Sequence, residues 1–294
     1  MAQRSIALVH AHPDDESLAT GGTIARYSAE GARVCLITCT NGEVGEIAEV
    51  PELGTREDIA PRLGEIRRKE LEEACRRLGD IDLRMLGFHD SGMDGTPENQ
   101  DPKAFVNQDL DLPVRKIVEI LREVKPQVLI TYNEYGFYGH PDHIRAHQAA
   151  MAAVRAADDP AYAPELGPRH EVAKVYYNAI PVSLLREGMK LARQMADESG
   201  GEVDPDDFVS EDDTVRIGTD DALVTSEIDV NDFVKTKFHA LEAHRTQLGT
   251  TERWFQIPED VRTMMFGTEF YVLTGSRPRP ARDHERDLFE GLES

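Results

Sequence analysis

"SIALVHAHPDDESLATGGTIARYSAEGARVCLITCT" spans residues 5–40 and decides the fold. Ser5–Ala11 is an apolar run of strand length, Gly22–Gly31 has helical spacing with a glycine stop, and Arg33–Thr40 is a second β-rich run. Strand, helix and strand in that order imply parallel strands joined by a crossover helix. The alternation continues down the chain. "PRLGEIRRKELEEACRRLG" is an amphipathic helix with Ile66, Leu71, Ala74 and Leu78 on one face and Gly79 at its end. "DLRMLGF" is a weaker strand, "LPVRKIVEILREVKP" a helix closed by Pro126, "QVLITYN" a fourth strand, and "HPDHIRAHQAAMAAVRAA" the start of a further helix. The expected fold is α/β, a Rossmann-like, mostly parallel sheet with helices on both faces.

Past residue 157 the pattern changes. "DDPAYAPELGPRHEV" reads as loop, "AKVYYNAIP" as strand and "VSLLREGMKLARQMADESG" as helix. An acidic stretch over 197–232 reads as solvated surface. "VNDFVKTKFHALEAHRTQL" follows as one helix and "EFYVLTGS" as a late strand. With no repeat and no linker, the expectation is one integrated domain. Residues 1–160 form its core, and 161–294 form a C-terminal α+β extension packed on the core and walling the cleft. The tail from Arg277, rich in Pro, Arg and Asp, is expected to be loosely ordered.

Composition narrows the function. The chain has 294 residues, 40% of them hydrophobic and 30% charged, with a formal charge of −22. Binding nucleic acid by counterion release needs a basic face, so no nucleic-acid partner is expected. No apolar run approaches the roughly 18 residues of a membrane span, so no membrane partner is expected either, and a cytoplasmic location is. The cysteines, Cys35, Cys39 and Cys75, are odd in number and read as small buried thiols rather than a disulfide framework. "ATGGT" is neither a P-loop nor a dinucleotide fingerprint, and no GxSxG elbow or Cys-x-x-Cys occurs. Assembly as a homo-oligomer is left open.

Chemistry concentrates where strands end. A parallel sheet offers its ligand site beyond the carboxyl ends of the strands, near a switch in strand order. "HPDDE" follows the first strand and "GHPDH" the fourth. His12 and Asp15, in a His-x-x-Asp turn, can aim an imidazole and a carboxylate at one point. Zinc accepts that donor set, and a hydrolytic site needs three protein ligands with a position left for water. Either His140 or His143 supplies the third, leaving the other free beside it. Asp14, if it diverges from Asp15, can face the water as general base. His140, if not a ligand, can polarise a carbonyl or protonate a leaving group, and Asp142 can orient it and favour its imidazolium form. A His₂Asp set with open positions also suits ferrous iron. The plainer reading of either segment alone is an acidic helix cap; two such segments at two strand ends favour a metal site. His10 reads as structural, and His147 as either a supporting group or a surface histidine.

"AHPDDE" and "HPDH", in this order, resemble the LmbE-like or PIG-L family of zinc-dependent N-acetylglucosaminyl deacetylases. The likeness extends to "CTNGEVGE", "DSGMDGT" and "YGHPDH", covers most of residues 5–157, and weakens afterwards, although "EAHRTQ" and "EFYVLTG" are similar to late segments of such enzymes. Within the family the likeness is to the mycothiol-pathway members, the deacetylase of N-acetylglucosaminyl-inositol and the mycothiol-conjugate amidase. The resemblance implies that His12, Asp15 and His143 bind the metal, that Asp14 is the general base, and that His140 acts on the oxyanion and leaving amine. It further implies that Tyr138 assists at the carbonyl, that Asp142 tunes His140, and that Arg67 and Asp90 contact the sugar. The expected activity is metal-dependent removal of an N-acetyl group from an amino-sugar conjugate, a small-molecule partner. Amidase action on a mycothiol-type conjugate and non-catalytic sugar binding with a structural metal are the alternatives.

Overall fold

The computed structural model describes residues 3–198, 216–250, 255–276 and 284–292. Residues 5–40 fold as the opening stretch requires, with β1 over Ser5–His10, α1 over Asp15–Ala29 and β2 over Arg33–Thr40. β1 and β2 pair in parallel from Ser5↔Arg33 to His10↔Thr38. Every residue of β1 is buried, the signature of a parallel strand covered on both faces. Its side chains alternate between two cores. Ala7 and Val9 face one with Cys35, Ile37, Ile117, Leu121 and Ala146, while Ile6 and Leu8 face the other with Ile24, Leu36, Leu71 and Ala74.

Further along lie α2 (Arg56–Ile59), α3 (Leu63–Leu78), β3 (Ile81–Phe88), α4 (Asp111–Val124) and β4 (Val128–Thr131). After them come the single turn α5 (Gly136–Gly139) and α6 (Pro141–Asp158). β5 (Lys174–Pro181) and α7 (Val182–Glu198) open the second half. It continues with β6 (Gly218–Thr219), β7 (Ser226–Asp229), α8 (Val234–Leu241), α9 (Glu259–Phe266) and β8 (Thr268–Ser276). The eight-stranded sheet runs β3-β2-β1-β4-β5-β8-β7, with β6 beside β5. β1 to β5 are parallel, and β8 joins β5 and β7 antiparallel. The order switches between β1 and β4, so the loops after these two strands flank one crevice.

The glycines of "ATGGT" serve packing. A Cβ on Gly22 would lie 2.6 Å from Val230, so only glycine lets α1 approach the turn after β7 this closely.

Two expectations are corrected. The stretch "VNDFVKTKFHALEAHRTQL" is not one helix: α8 ends at Leu241, and Arg245–Thr250 forms a separate 3₁₀ turn. The reason is tertiary, since Thr246 gives its N–H and hydroxyl to Glu70 of α3 at 2.9 and 2.7 Å. The tail is also better anchored than its composition suggested. Glu285, Leu288 and Phe289 are buried, and Glu285 meets the wholly buried Lys174 at 2.5 Å. Residues 277–283 lie outside the described residues, as do 199–215 of the acidic segment. The three cysteines are free and buried. Among the described residues no helix is long and apolar enough to cross a membrane.

Candidate active site

β1 delivers residues 11–14 to the rim, and β4 delivers the loop that leads through α5 into α6. Pro141 is the first residue of α6, and its fixed φ suits a helix start. The two segments meet. His12 Nδ1 and His143 Nε2 are 3.2 Å apart. The Asp15 carboxylate lies 3.7 Å from the former and 3.5 Å from the latter. Two imidazole nitrogens and one carboxylate therefore converge on one point, although all three residues are buried or half-buried.

Two other triplets could also share an ion: His12 with His140 and His143, and His12 with Asp90 and Asp142. Protein hydrogen bonds engage members of all three sets, Asp15 included, whose Oδ2 accepts the His12 N–H at 2.7 Å. The carboxylate of Asp142 meets His12 Nε2 at 3.2 Å and accepts from the N–H and hydroxyl of Ser91. Asp142 thereby holds a proton on Nε2 of His12 and turns Nδ1 toward His143 and Asp15. His140 Nδ1 accepts the N–H of Asp142 at 3.1 Å, which leaves its Nε2 facing the site. The set His12, Asp15 and His143 offers two imidazole nitrogens and one carboxylate. An N/N/O donor set of this kind fits zinc, and also ferrous iron.

The local field suits a positive charge. Burial opposes charge on His12, but Asp90, Asp142 and Asp15 outweigh it and raise its pKa to about 9. Burial likewise works against the Asp15 carboxylate, yet His143, His12 and His10 hold its pKa below the usual range. Burial pushes His143 down to about 3, so its nitrogens are neutral.

Asp14 stands next to this set at the start of α1 without capping it. Burial raises its carboxyl to about 6, with Arg67 opposing. Arg67 gives one NH₂ to the Asp14 carboxylate at 3.0 Å and to the Pro13 carbonyl at 2.6 Å, and the other to the Gly42 carbonyl at 2.8 Å. A Cβ on Gly42 would lie 2.4 Å from this guanidinium, so glycine is required there. The arginine expected on the sugar is engaged with Asp14, a task the sequence did not disclose. Asp90 accepts the Gly92 N–H at 2.8 Å and borders the cavity.

His140 departs from the sequence reading. Asp142 engages its ring through a main-chain N–H, which opposes protonation of Nδ1, and the Asp142 carboxylate is turned to His12 instead. Burial and the neighbouring His12 push its pKa down to about 4, although Asp142 opposes this. The ring is neutral and presents an Nε2–H donor, not the imidazolium expected. Tyr138 packs edge-on against His140 and His143, and burial raises its pKa, keeping the phenol a donor.

Tyr132 was missed by the sequence reading. Its hydroxyl donates to Asp15 at 2.8 Å and accepts the Ala11 N–H at 2.9 Å, while its ring stacks on His143 with centroids 4.2 Å apart. It stands one residue past β4, beside the end of β1, and this adjacency is the only signal that could have revealed it. His10 reaches the same hydroxyl and Thr20, and His147 holds the Tyr132 carbonyl at 2.9 Å.

His12, Asp14, Asp15, His140 and His143, with Arg67, Asp90, Tyr132 and Tyr138, line a cavity of about 600 Å³. Its far wall comes from residues after 160, including Asn178, Leu185, Lys237, Gln247, Met265 and Phe270. A space of this size is typical of a small-molecule site.

The family model for GlcNAc-PI de-N-acetylase, PIG-L, matches residues 7–154. Over 299 residues the chain is 45% identical to a protein of Catenulispora acidiphila named 1D-myo-inositol 2-acetamido-2-deoxy-alpha-D-glucopyranoside deacetylase 1, covering 99% of this chain and 90% of that one. The protein of the same activity name from Thermobispora bispora is 46% identical over 311 residues, covering 99% and 100%. In fold, the chain is similar to N,N'-diacetylchitobiose deacetylase from Pyrococcus horikoshii, with a TM-score of 0.61, 19% identity, and coverage of 93% of this chain and 84% of that one.

Proposed function

The chain belongs to the PIG-L family of de-N-acetylases, and from that premise we propose that it hydrolyses the acetamide of an N-acetylglucosaminyl conjugate, N-acetylglucosaminyl-inositol being the substrate. His12, Asp15 and His143 would hold one divalent cation, a donor set that suits zinc and also ferrous iron. A cation bound there would supply a water of lowered pKa and polarise the amide carbonyl.

The protein's own groups do the rest. Asp14 takes a proton from the attacking water, and a pKa of about 6 leaves it mostly ionised at neutral pH. His140 Nε2–H and the Tyr138 hydroxyl stabilise the negative charge that develops on the carbonyl oxygen. Because His140 is neutral, with Nδ1 already engaged, the proton for the departing amine comes from Asp14. Products are acetate and the free amine. Asp90 and the wall after residue 160 take the sugar and inositol hydroxyls.

One observation supports this reading: two imidazole nitrogens and a carboxylate from segments over 100 residues apart converge, with the Asp14 carboxylate, held by Arg67, alongside. Acetate and amine release is measured on N-acetylglucosaminyl-inositol, free N-acetylglucosamine and a mycothiol conjugate, with and without chelator. Chelator-sensitive turnover fastest on the first compound is expected. No acetate release from any of them, with metal bound, would make the site a structural one.

A further inference from the structure

Asp14 has φ 132° and ψ −28°. A residue with a side chain rarely enters this region, and it stays there only where its surroundings over-determine it. Two grips are visible. Arg67 holds the carboxylate and the preceding carbonyl. On the other side, the Asp14 N–H donates to Glu16 Oε2 at 3.0 Å. Glu16 is wholly buried and borders no part of the cavity. Its other oxygen accepts from the Ser17 hydroxyl at 2.5 Å and meets His244 Nε2 at 2.8 Å. His244 is wholly buried too, 228 residues away in sequence, and its Nδ1 has no partner among the described residues. The 3₁₀ turn that follows it is anchored on α3 through Thr246 and Glu70, and α3 also carries Arg67.

We infer that Glu16 and His244 are positioning residues for the proposed deacetylation: His244 fixes the Glu16 carboxylate, and Glu16 pins the Asp14 main chain in the conformation that aims the base at the water. The inference rests on Asp14 being that base. It explains why a carboxylate and an imidazole with no access to substrate are buried together behind the site. It also gives the late "EAHRTQ" segment a part in catalysis.

The test uses the metal-loaded, full-length protein and acetate release from N-acetylglucosaminyl-inositol. Glu16→Ala lowers kcat on the order of 10²-fold, the scale of a small displacement of a catalytic group, with KM and bound metal unchanged. Glu16→Gln recovers most of kcat, because its amide keeps an oxygen on the Asp14 N–H and its NH₂ can face His244 in the other tautomer. His244→Phe lowers kcat alone, and the double variant Glu16→Ala/His244→Phe falls no further than the worse single one. Wild-type kcat in Glu16→Ala overturns the inference, as does a Gln variant as poor as the Ala one. So does a loss that follows metal content, or failure of both single variants to fold, since the pair then serves the ion or stability alone. A wild-type protein that releases no acetate would instead count against the proposed function.

Discussion

The carboxylate of Asp142 accepts from Nε2 of His12 at 3.2 Å, across 130 residues of sequence. This bond decides which nitrogen of His12 faces the crevice. Ser91 fixes Asp142 in turn, through its N–H at 2.9 Å and its hydroxyl. Partners of this kind orient a ligating imidazole and raise its basicity, and their loss costs about 10- to 100-fold in metal affinity. Asp142→Ala is therefore expected to weaken zinc binding by that factor while leaving the fold intact. Competition titration against a chromophoric chelator measures it. Unchanged affinity with lost turnover would return Asp142 to the role expected from sequence, on His140.

His140 and Asp15 are rivals for the third ligand position, which the proposed function gives to Asp15. Asp15 faces both His12 Nδ1 and His143 Nε2 within 3.7 Å. The His140 ring stands 4.6 Å from that of His12, centre to centre, with one nitrogen engaged by Asp142. His140→Ala should keep its metal and lose about 10²–10³-fold in kcat, the effect of removing one oxyanion donor. Asp15→Ala should lose the metal. Metal analysis of the two purified variants reads this out; the opposite pattern would exchange their roles.

The parts of the fold legible in sequence were those fixed by short-range pattern. β1, β2 and β4 are buried on both faces, so their sequences are nearly unbroken apolar runs. His12, Asp14 and Asp15 share one turn, as His140 and His143 share another, so spacing alone suggested convergence. What escaped depends on contacts between distant segments. Tyr132 meets Asp15 across 117 residues and His244 meets Glu16 across 228, and neither end carries a local mark of the other. β7, "SEID", is a short polar strand at the sheet edge with too few apolar residues to stand out. The charge state of His140 also escaped, because it depends on burial and on which atom of Asp142 faces the ring.

The C-terminal clasp makes a prediction about stability. Glu285 accepts from Lys174 Nζ, from the Tyr176 hydroxyl at 2.6 Å and from the Ser226 hydroxyl at 2.8 Å, and both members of the ion pair are fully buried. Glu285→Ala strands a buried ammonium and should cost about 3–5 kcal/mol of unfolding free energy. The exposed Arg68–Glu72 pair is the control, and Arg68→Ala should cost no more than about 0.5 kcal/mol. Urea unfolding followed by circular dichroism compares them. Equal costs would mean that the tail does not brace β5.

The pH profile tests Asp14 and Arg67 together. Burial raises the Asp14 carboxyl to about 6, and the Arg67 guanidinium opposes that rise. The working form of a general base is the carboxylate, so kcat/KM should climb with pH up to about 6 and fall by about tenfold per pH unit below it. Arg67 sits 3.0 Å from the carboxylate and favours its charge. In Arg67→Met that help is gone and the carboxyl keeps its proton to higher pH. The acid limb should then move upward by about one pH unit or more. Bound metal is measured at each pH, so that loss of the ion at low pH is not mistaken for protonation of the base. A limb that stays in place in Arg67→Met, with metal retained, would show that the group titrating there is not Asp14.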